Sequence, residues 1–201
     1  MGSTEWDWAA EARYEEEVAA RCEGADRLNH LYQAAEFWSD ADEHQRALDL
    51  LDLVAEQSPD PAQCAADPLL AYCLFRVGRE EQGRAAARAV EERAAAEQDW
   101  EAYEEFAGYL VRAGRLEHAL TDYDAALLLV LALDQPDAPP AGRSAIRPFS
   151  LVAKGRLAVR TRLGLPPDEH DRTVLEGMSR TERWRHRRSR RRGGAVRIVR
   201  S

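Results

Sequence analysis

The stretch of sequence that decides the fold is residues 28–61, LNHLYQAAEFWSDADEHQRALDLLDLVAEQSPDP. Each half of this stretch places apolar residues at the i, i+3, i+4 and i+7 spacing that forms one face of a helix. The residues on the two faces are Leu31, Ala34, Ala35 and Trp38, then Ala47, Leu51 and Val54. The pattern predicts an antiparallel pair of helices that bury these faces against each other.

The pattern returns twice more at a spacing of 36 residues, with Leu28, Cys64 and Trp100 as equivalent first positions. Such self-similarity is the mark of a protein built from stacked helical units. In the second and third copies, Gly78 and Gly114 stand where the first helix of a pair ends. Glycine is favoured there because the chain turns through a left-handed backbone conformation.

Small residues recur at two positions of the repeat. The eighth position holds Ala35, Ala71 and Ala107, and the twentieth holds Ala47, Gly83 and Ala119. Small side chains let two helix backbones come close together. Glycine inside a helix is about 1 kcal/mol less favourable than alanine, so we expect a close helix contact at Gly83.

At these residues the chain resembles the tetratricopeptide repeat family. The resemblance covers three repeats, over about residues 28–61, 64–97 and 100–133. The first repeat matches the family at its eight signature positions, which are Leu31, Ala34, Ala35, Trp38, Ala47, Leu51, Val54 and Pro59. The second is weaker, with Asp67 where a large apolar residue is usual and Ala87 where an aromatic is usual. The resemblance implies a short right-handed solenoid whose first helices line a concave groove that binds peptides or proteins.

The resemblance also implies which side chains line that groove. They are Tyr32, Gln33, Glu36 and Asp40 in the first repeat, Leu69, Tyr72, Phe75 and Arg76 in the second, and Glu104, Glu105 and Arg112 in the third. This set is acidic and aromatic, which favours a basic or amphipathic peptide or helix held by aromatic anchors. The alternative is an ordinary solvated face, because Glu-rich faces are common on such helices.

A shorter resemblance lies towards the C-terminal end. Gly155-Arg156, Arg160, Arg162 and the run 163–168 are similar to the closing segment of actinobacterial tetratricopeptide-like proteins that often carry an SEC-C zinc motif. The cysteine-rich SEC-C motif itself is absent from this sequence. Its zinc and translocation roles therefore do not carry over, and we expect no metal or other cofactor.

Further helices flank the repeats. A capping box from Thr4 to Asp7 predicts a helix that runs to about Cys22, and a closing helix is predicted over 148–163 after a Pro/Gly linker. The predicted fold is therefore all-α, with one helical repeat domain over 1–165 and a flexible Arg-rich tail over 166–201. The run 125–133 is apolar all round, which favours burial against the closing helix over the alternative of a dimer or partner contact.

The net charge of −8 hides an uneven distribution. Residues 1–142 carry a net charge of −20, and residues 143–201 carry +12. Most of the positive charge lies in a cluster with one aromatic, formed by Arg183, Trp184, Arg185, Arg187, Arg188, Arg190, Arg191 and Arg192. Guanidinium groups bind phosphate and an aromatic ring stacks on bases. The alternative function is therefore a nucleic-acid or ribosome-associated factor, and a tail that is solvated or bound to the acidic body is the third interpretation.

Several classes of protein are disfavoured by the sequence. It contains no nucleotide-binding, metalloprotease or serine-hydrolase motif, and its five histidines lack metal-ligand spacing. Its longest apolar run has nine residues, about half of what a membrane helix needs, and no secretory signal is visible. We therefore expect a cytoplasmic, non-enzymatic adaptor that acts by binding another protein.

Overall fold

A computed structural model describes residues 6–133 and 146–177 of the chain. These residues form α-helices and no strand, which confirms the all-α prediction. The helices are α1 Trp8–Ala19, α2 Gly24–Asp40, α3 His44–Gln57, α4 Pro61–Ala65, α5 Pro68–Arg76, α6 Glu80–Glu97, α7 Trp100–Arg112, α8 Leu116–Leu133, α9 Ile146–Arg162 and α10 Glu169–Gly177. None of these helices combines the length and the apolar character that a bilayer crossing requires.

The chain divides into two compact units, Met1–Arg93 and Ala94–Ser201, and the boundary falls inside α6. In the first unit, α2 packs between α1 and α3, and α3 also contacts α4 and α5. In the second unit, α8 packs against α7 and α9, and α10 packs on α9. The prediction of a single repeat domain over 1–165 stays a prediction.

The 36-residue spacing is visible in the geometry of three helix ends. Asp42, Gly78 and Gly114 all have positive φ, at 62°, 81° and 77°. In each case the N–H of the following residue donates to the carbonyl five residues earlier, over 2.8–2.9 Å. This bond is the hallmark of the Schellman motif, which ends a helix and reverses the chain. The three helix pairs α2/α3, α5/α6 and α7/α8 are therefore joined by the same turn.

Small residues lie at the helix contacts, as the sequence predicts. The alanines of the eighth position and those of the twentieth are fully buried. At Gly83 a Cβ atom would lie 2.6 Å from Cδ1 of Phe75 and 2.7 Å from its Cε1. The ring of Phe75 is itself buried, so it cannot easily move aside. Helix α6 thus approaches α5 so closely that an alanine at position 83 would not fit unless the packing shifted. The predicted close contact at Gly83 is confirmed.

The N-terminal helix is shorter than predicted. It begins at Trp8, where the side chain of Asp7 accepts a hydrogen bond from the N–H of Ala10 over 3.0 Å. Thr4, the other half of the predicted capping box, lies outside the described residues. The helix ends at Ala19 rather than near Cys22, and polar contacts to α2 hold it in place. Glu15 lies 2.6 Å from His30 Nδ1, and the indole of Trp38 donates to Glu16.

Asp67 explains why the second repeat departs from the family pattern. Its carboxylate accepts hydrogen bonds from the N–H groups of Leu69 and Leu70, over 2.7 and 3.4 Å, and so caps α5. A helix cap requires a short polar side chain, whereas the family pattern has a large apolar one. The cap followed by Pro68 starts α5 late and limits it to nine residues. The preceding residues form the separate short helix α4.

The long apolar run at the end of α8 is buried on one side only. Ala126, Leu127 and Val130 are buried, as expected for contacts with α7 and α9. Leu128 is 69% exposed, and Leu151 on α9 is 51% exposed. The closing helix therefore covers part of this run and leaves part of it at the surface.

The structure corrects the start of the tail. Residues 169–177 form α10, although the sequence assigned them to a flexible segment. A reciprocal cap starts this helix, because the backbone N–H groups of Asp168 and Asp171 each donate to the other residue's carboxylate, both over 3.0 Å. Val174 on α10 then packs with Ala153 and Leu157 of α9 in a small apolar core. The closing helix also starts earlier than predicted, at Ile146.

A buried arginine joins three segments of the second unit. The guanidinium of Arg156, which is 6% exposed, donates to Asp124 on α8, to Asp168 over 2.6 Å and to Asp171 over 3.0 Å. Burial alone would raise the pKa of Asp168. The opposing effects are larger in sum: hydrogen bonds from Arg156 and from the Asp171 N–H, together with the charges of Arg156 and Arg160, lower this pKa to about 2. Asp168 therefore stays ionised and holds α10 against α9 above that pH.

The close contact at Gly83 predicts a destabilising substitution. Gly83→Ala is expected to lower the free energy of unfolding by about 1–3 kcal/mol, because the added methyl group meets the buried ring of Phe75. The matched control is Gly108→Ala on α7, where a Cβ would meet no atom within 4 Å. That variant is expected to raise the free energy of unfolding by about 0.4–1 kcal/mol, because alanine reduces the conformational entropy of the unfolded chain. Urea unfolding measures both, and equal gains in the two variants would contradict the close contact.

The Arg156 network predicts that lysine cannot replace this arginine. Nε, Nη1 and Nη2 of Arg156 each donate to a different aspartate. A lysine would offer three donors on one nitrogen in place of this planar fork, so it cannot match the three contact positions. We expect Arg156→Lys to lose about 2 kcal/mol or more of stability and to release α10, seen as faster amide exchange over 169–177. Arg162→Lys on the exposed side of the same helix is the control. Unchanged exchange in Arg156→Lys would show that the apolar core alone holds α10.

Candidate functional site

The groove residues predicted on α2 remain at the surface. Gln33 and Asp40 are exposed, and Tyr32 and Glu36 are partly exposed. Since Ala34, Ala35 and Trp38 on the same helix are buried, α2 separates an apolar face from a polar one. The predicted groove residues of α2 therefore lie on its polar face.

The apolar residues predicted on α5 are buried, whereas the resemblance places them on an open groove, with Tyr72 and Phe75 as its anchors. Leu69, Tyr72 and Phe75 are only 1%, 2% and 8% exposed. The ring of Tyr72 meets His44 edge-on, with centroids 5.3 Å apart. Helix α5 lies against α3, and Phe75 lies against Gly83 of α6, so contacts within the first unit cover this face of α5. Of the four predicted residues on this helix, only Arg76 is exposed.

Arg76 makes two polar contacts inside the first unit. It donates to the hydroxyl oxygen of Tyr72 over 2.9 Å, and it forms an ion pair with Asp42 over 3.2 Å. These contacts connect the end of α5 with the turn between α2 and α3. Arg76 therefore has a structural role beside any role in binding.

The third set of predicted groove residues lies on α7 in the second unit. Glu104 is partly buried, while Glu105 and Arg112 are exposed. Burial raises the pKa of Glu104, and the neighbouring charges of Glu105 and Glu101 raise it further. Burial, with a contribution from Glu104, also raises the pKa of Tyr123 to about 12. This face of α7 is thus locally acidic.

The first unit contains a cleft that the sequence did not reveal. It has a volume of about 620 Å³, within the range of small-ligand pockets. It lies between α2, the second half of α3, α4 and the first turn of α5, and we call it the α2–α5 cleft. Its apolar wall includes Leu28, Leu51, Val54 and Leu70, and Tyr32 is the one predicted groove residue that lines it.

Three carboxylates line this cleft, and within the described part of the chain no Lys, Arg or His does. Asp52 and Asp60 are exposed, whereas Asp67 is mostly buried at the start of α5. The hydroxyl of Tyr32 donates to Asp67 over 3.4 Å, onto the same Oδ1 that caps α5. The cleft therefore combines an apolar wall with negative charge at its edge and floor.

The surroundings of Asp67 disfavour the ionised form of its side chain. Burial raises its pKa, and the hydrogen bonds from Leu69, Tyr32 and Leu70 and the charge of Arg93 only partly oppose that effect. Asparagine caps a helix about as well as aspartate and has no charge to desolvate. The presence of aspartate at this position is thus not explained by the cap alone.

Sequence reasoning missed the cleft because it is formed by a departure from the repeat. The added helix α4 and the delayed start of α5 separate the two helix pairs at residues 58–67. The available signal was the pair Pro59 and Pro61 together with Asp67 in place of an apolar residue. Asp67 departs from the family pattern whereas Pro59 agrees with it, and none of these residues indicates a cavity by itself.

The basic cluster Arg183, Trp184, Arg185, Arg187, Arg188, Arg190, Arg191 and Arg192 lies outside the described residues. Nucleic-acid binding through this cluster therefore stays a prediction from the sequence. Comparison with protein-family models, curated proteins and solved structures gave no match to the chain. The resemblance to tetratricopeptide repeats rests on the residues quoted above.

The position of Asp67 predicts a pH-dependent effect on stability. An acid whose folded-state pKa is raised destabilises the fold as the pH rises through that value, because the buried carboxylate must then ionise. Asp67→Asn keeps the cap and removes the charge, so we expect it to be more stable than the parent at neutral pH. This gain in stability should vanish in acid, below the pKa values that Asp67 has in the folded and in the unfolded protein.

Thermal unfolding of the two proteins between about pH 3 and pH 8 measures this difference. Asp49→Asn, at an exposed site on α3, serves as the control for loss of one negative charge. A constant difference across the whole pH range would contradict the proposed burial cost.

Proposed function

We propose that this chain is a non-enzymatic adaptor that binds a basic or amphipathic peptide or helix of a partner protein on its first unit. The observation that carries the proposal is that α2 has an acidic outer face directly beside the α2–α5 cleft. Tyr32 belongs to both, since it is a partly exposed residue of α2 and also lines the cleft. A surface of this kind offers apolar contact area and charge selection together.

The charge of the first unit supports a basic partner. The exposed face of α2 carries Asp40 and the partly exposed Glu36, and the described residues that line the cleft beside it include carboxylates and no cationic side chain. Opposite charges on a partner would increase its rate of association and exclude acidic competitors. The predicted aromatic anchors Tyr72 and Phe75 are buried, so Tyr32 is the aromatic residue that we assign to the contact.

The test is site-specific photo-crosslinking. A benzoylphenylalanine side chain replaces Gln33 on the α2 face, or Gln82 on the exposed side of α6 as the matched control. We expect discrete crosslinked partners from position 33 in an extract of the source cells, and none of the same species from position 82.

Charge reversal provides the second arm of this experiment. The double variant Gln33→Arg/Glu36→Arg should remove the partner, because its basic surface would then meet like charge. The variant Glu81→Arg/Gln82→Arg on α6 adds the same charge elsewhere and should retain the partner. Equal capture by the two double variants would refute binding on the α2 face.

A further inference from the structure

The α2–α5 cleft has an apolar wall beside charged groups. Its apolar wall comes from three elements, with Leu28 on α2, Val54 on α3 and Leu70 on α5. Because the wall is built from side chains of packed helices, its shape is set by the core of the first unit. An aliphatic side chain of a ligand would be removed from water on entering it.

The charged groups of the cleft are arranged for a cation. Asp67 receives hydrogen bonds from Tyr32, Leu69 and Leu70 within the described residues, and all three fall on its Oδ1 atom. Asp52 and Asp60 add negative charge where the cleft meets solvent. Arg93 is the cation whose charge acts on Asp67, and it is not among the residues that line the cleft.

We propose that the α2–α5 cleft recognises a short extended peptide segment of a partner in which an aliphatic residue stands next to an arginine or lysine. The aliphatic side chain lies against Leu28, Val54 and Leu70, and the cationic group pairs with Asp67 and the outer aspartates. This inference rests on the proposed adaptor function and names the chemistry that the adaptor selects. Charge complementarity within one apolar cleft is the argument for this ligand.

The peptide pair acetyl-Leu-Arg-amide and acetyl-Leu-citrulline-amide tests the proposal directly. The two differ by the charge alone, since citrulline has nearly the shape of arginine. NMR titration of the isotopically labelled full chain gives both the affinity and the site of binding. We expect the arginine peptide to bind about tenfold more tightly than the citrulline peptide, with shifts at the residues that line the cleft.

Variants of the protein complete a double-mutant cycle. Asp67→Asn should weaken binding of the arginine peptide by about threefold to tenfold and leave the citrulline peptide unchanged. Asp49→Asn, outside the cleft, should change neither. Ala55→Trp fills the cleft without changing its charge and should abolish binding of both peptides. Because Asp67→Asn is expected to be the more stable protein at neutral pH, its loss of affinity would not reflect unfolding.

Several results would overturn the proposal. Equal affinity for the two peptides would refute selection of a cation, and shifts confined to residues outside the cleft would refute the site. Binding seen only after removal of residues 178–201 would identify the chain's own basic tail as the ligand in place of a partner. Absence of binding by either peptide would refute the cleft but not the adaptor function, which the crosslinks from position 33 test independently.

Discussion

The helix pairs of this protein depend on one constraint, which is the close approach of two helix backbones immediately after a tight reversal of the chain. The reversal needs a left-handed residue, supplied by Asp42, Gly78 and Gly114. The approach needs a small residue on each helix, and at Gly83 even a methyl group would be too large. Because both needs are met at the same register every 36 residues, the sequence repeats and the local geometry repeats with it.

At the end of the second unit, ion pairs rather than contacts between small residues join the helices. A buried arginine is expensive to desolvate, and its presence is tolerated only when carboxylates satisfy its donors. Arg156 finds such partners in Asp124 on α8 and in Asp168 and Asp171 at the start of α10. Two of these aspartates also cap α10, so the start of that helix and its attachment to α9 depend on the same groups.

In the first unit, a departure from the repeat leaves a cleft. Where the regular pattern would continue, Asp67 caps a delayed helix and α4 fills part of the junction. The space that remains is the α2–α5 cleft, and the helix cap at its floor does not require the negative charge of Asp67. A residue that is unfavourable for stability where a neutral one would serve is what a binding role would produce.

The sequence by itself determined the helical class, the three helix pairs, the turns at Gly78 and Gly114 and the close contact at Gly83. These features follow from residues near one another in the chain, because helix periodicity, capping and left-handed turns are local properties. The tertiary structure alone decided that Tyr72 and Phe75 are buried, that α10 exists as a packed helix and that a cleft opens beside Tyr32. Each of these depends on which distant side chains cover a helix face, and burial of a face is a property of the packed unit rather than of the segment that carries it.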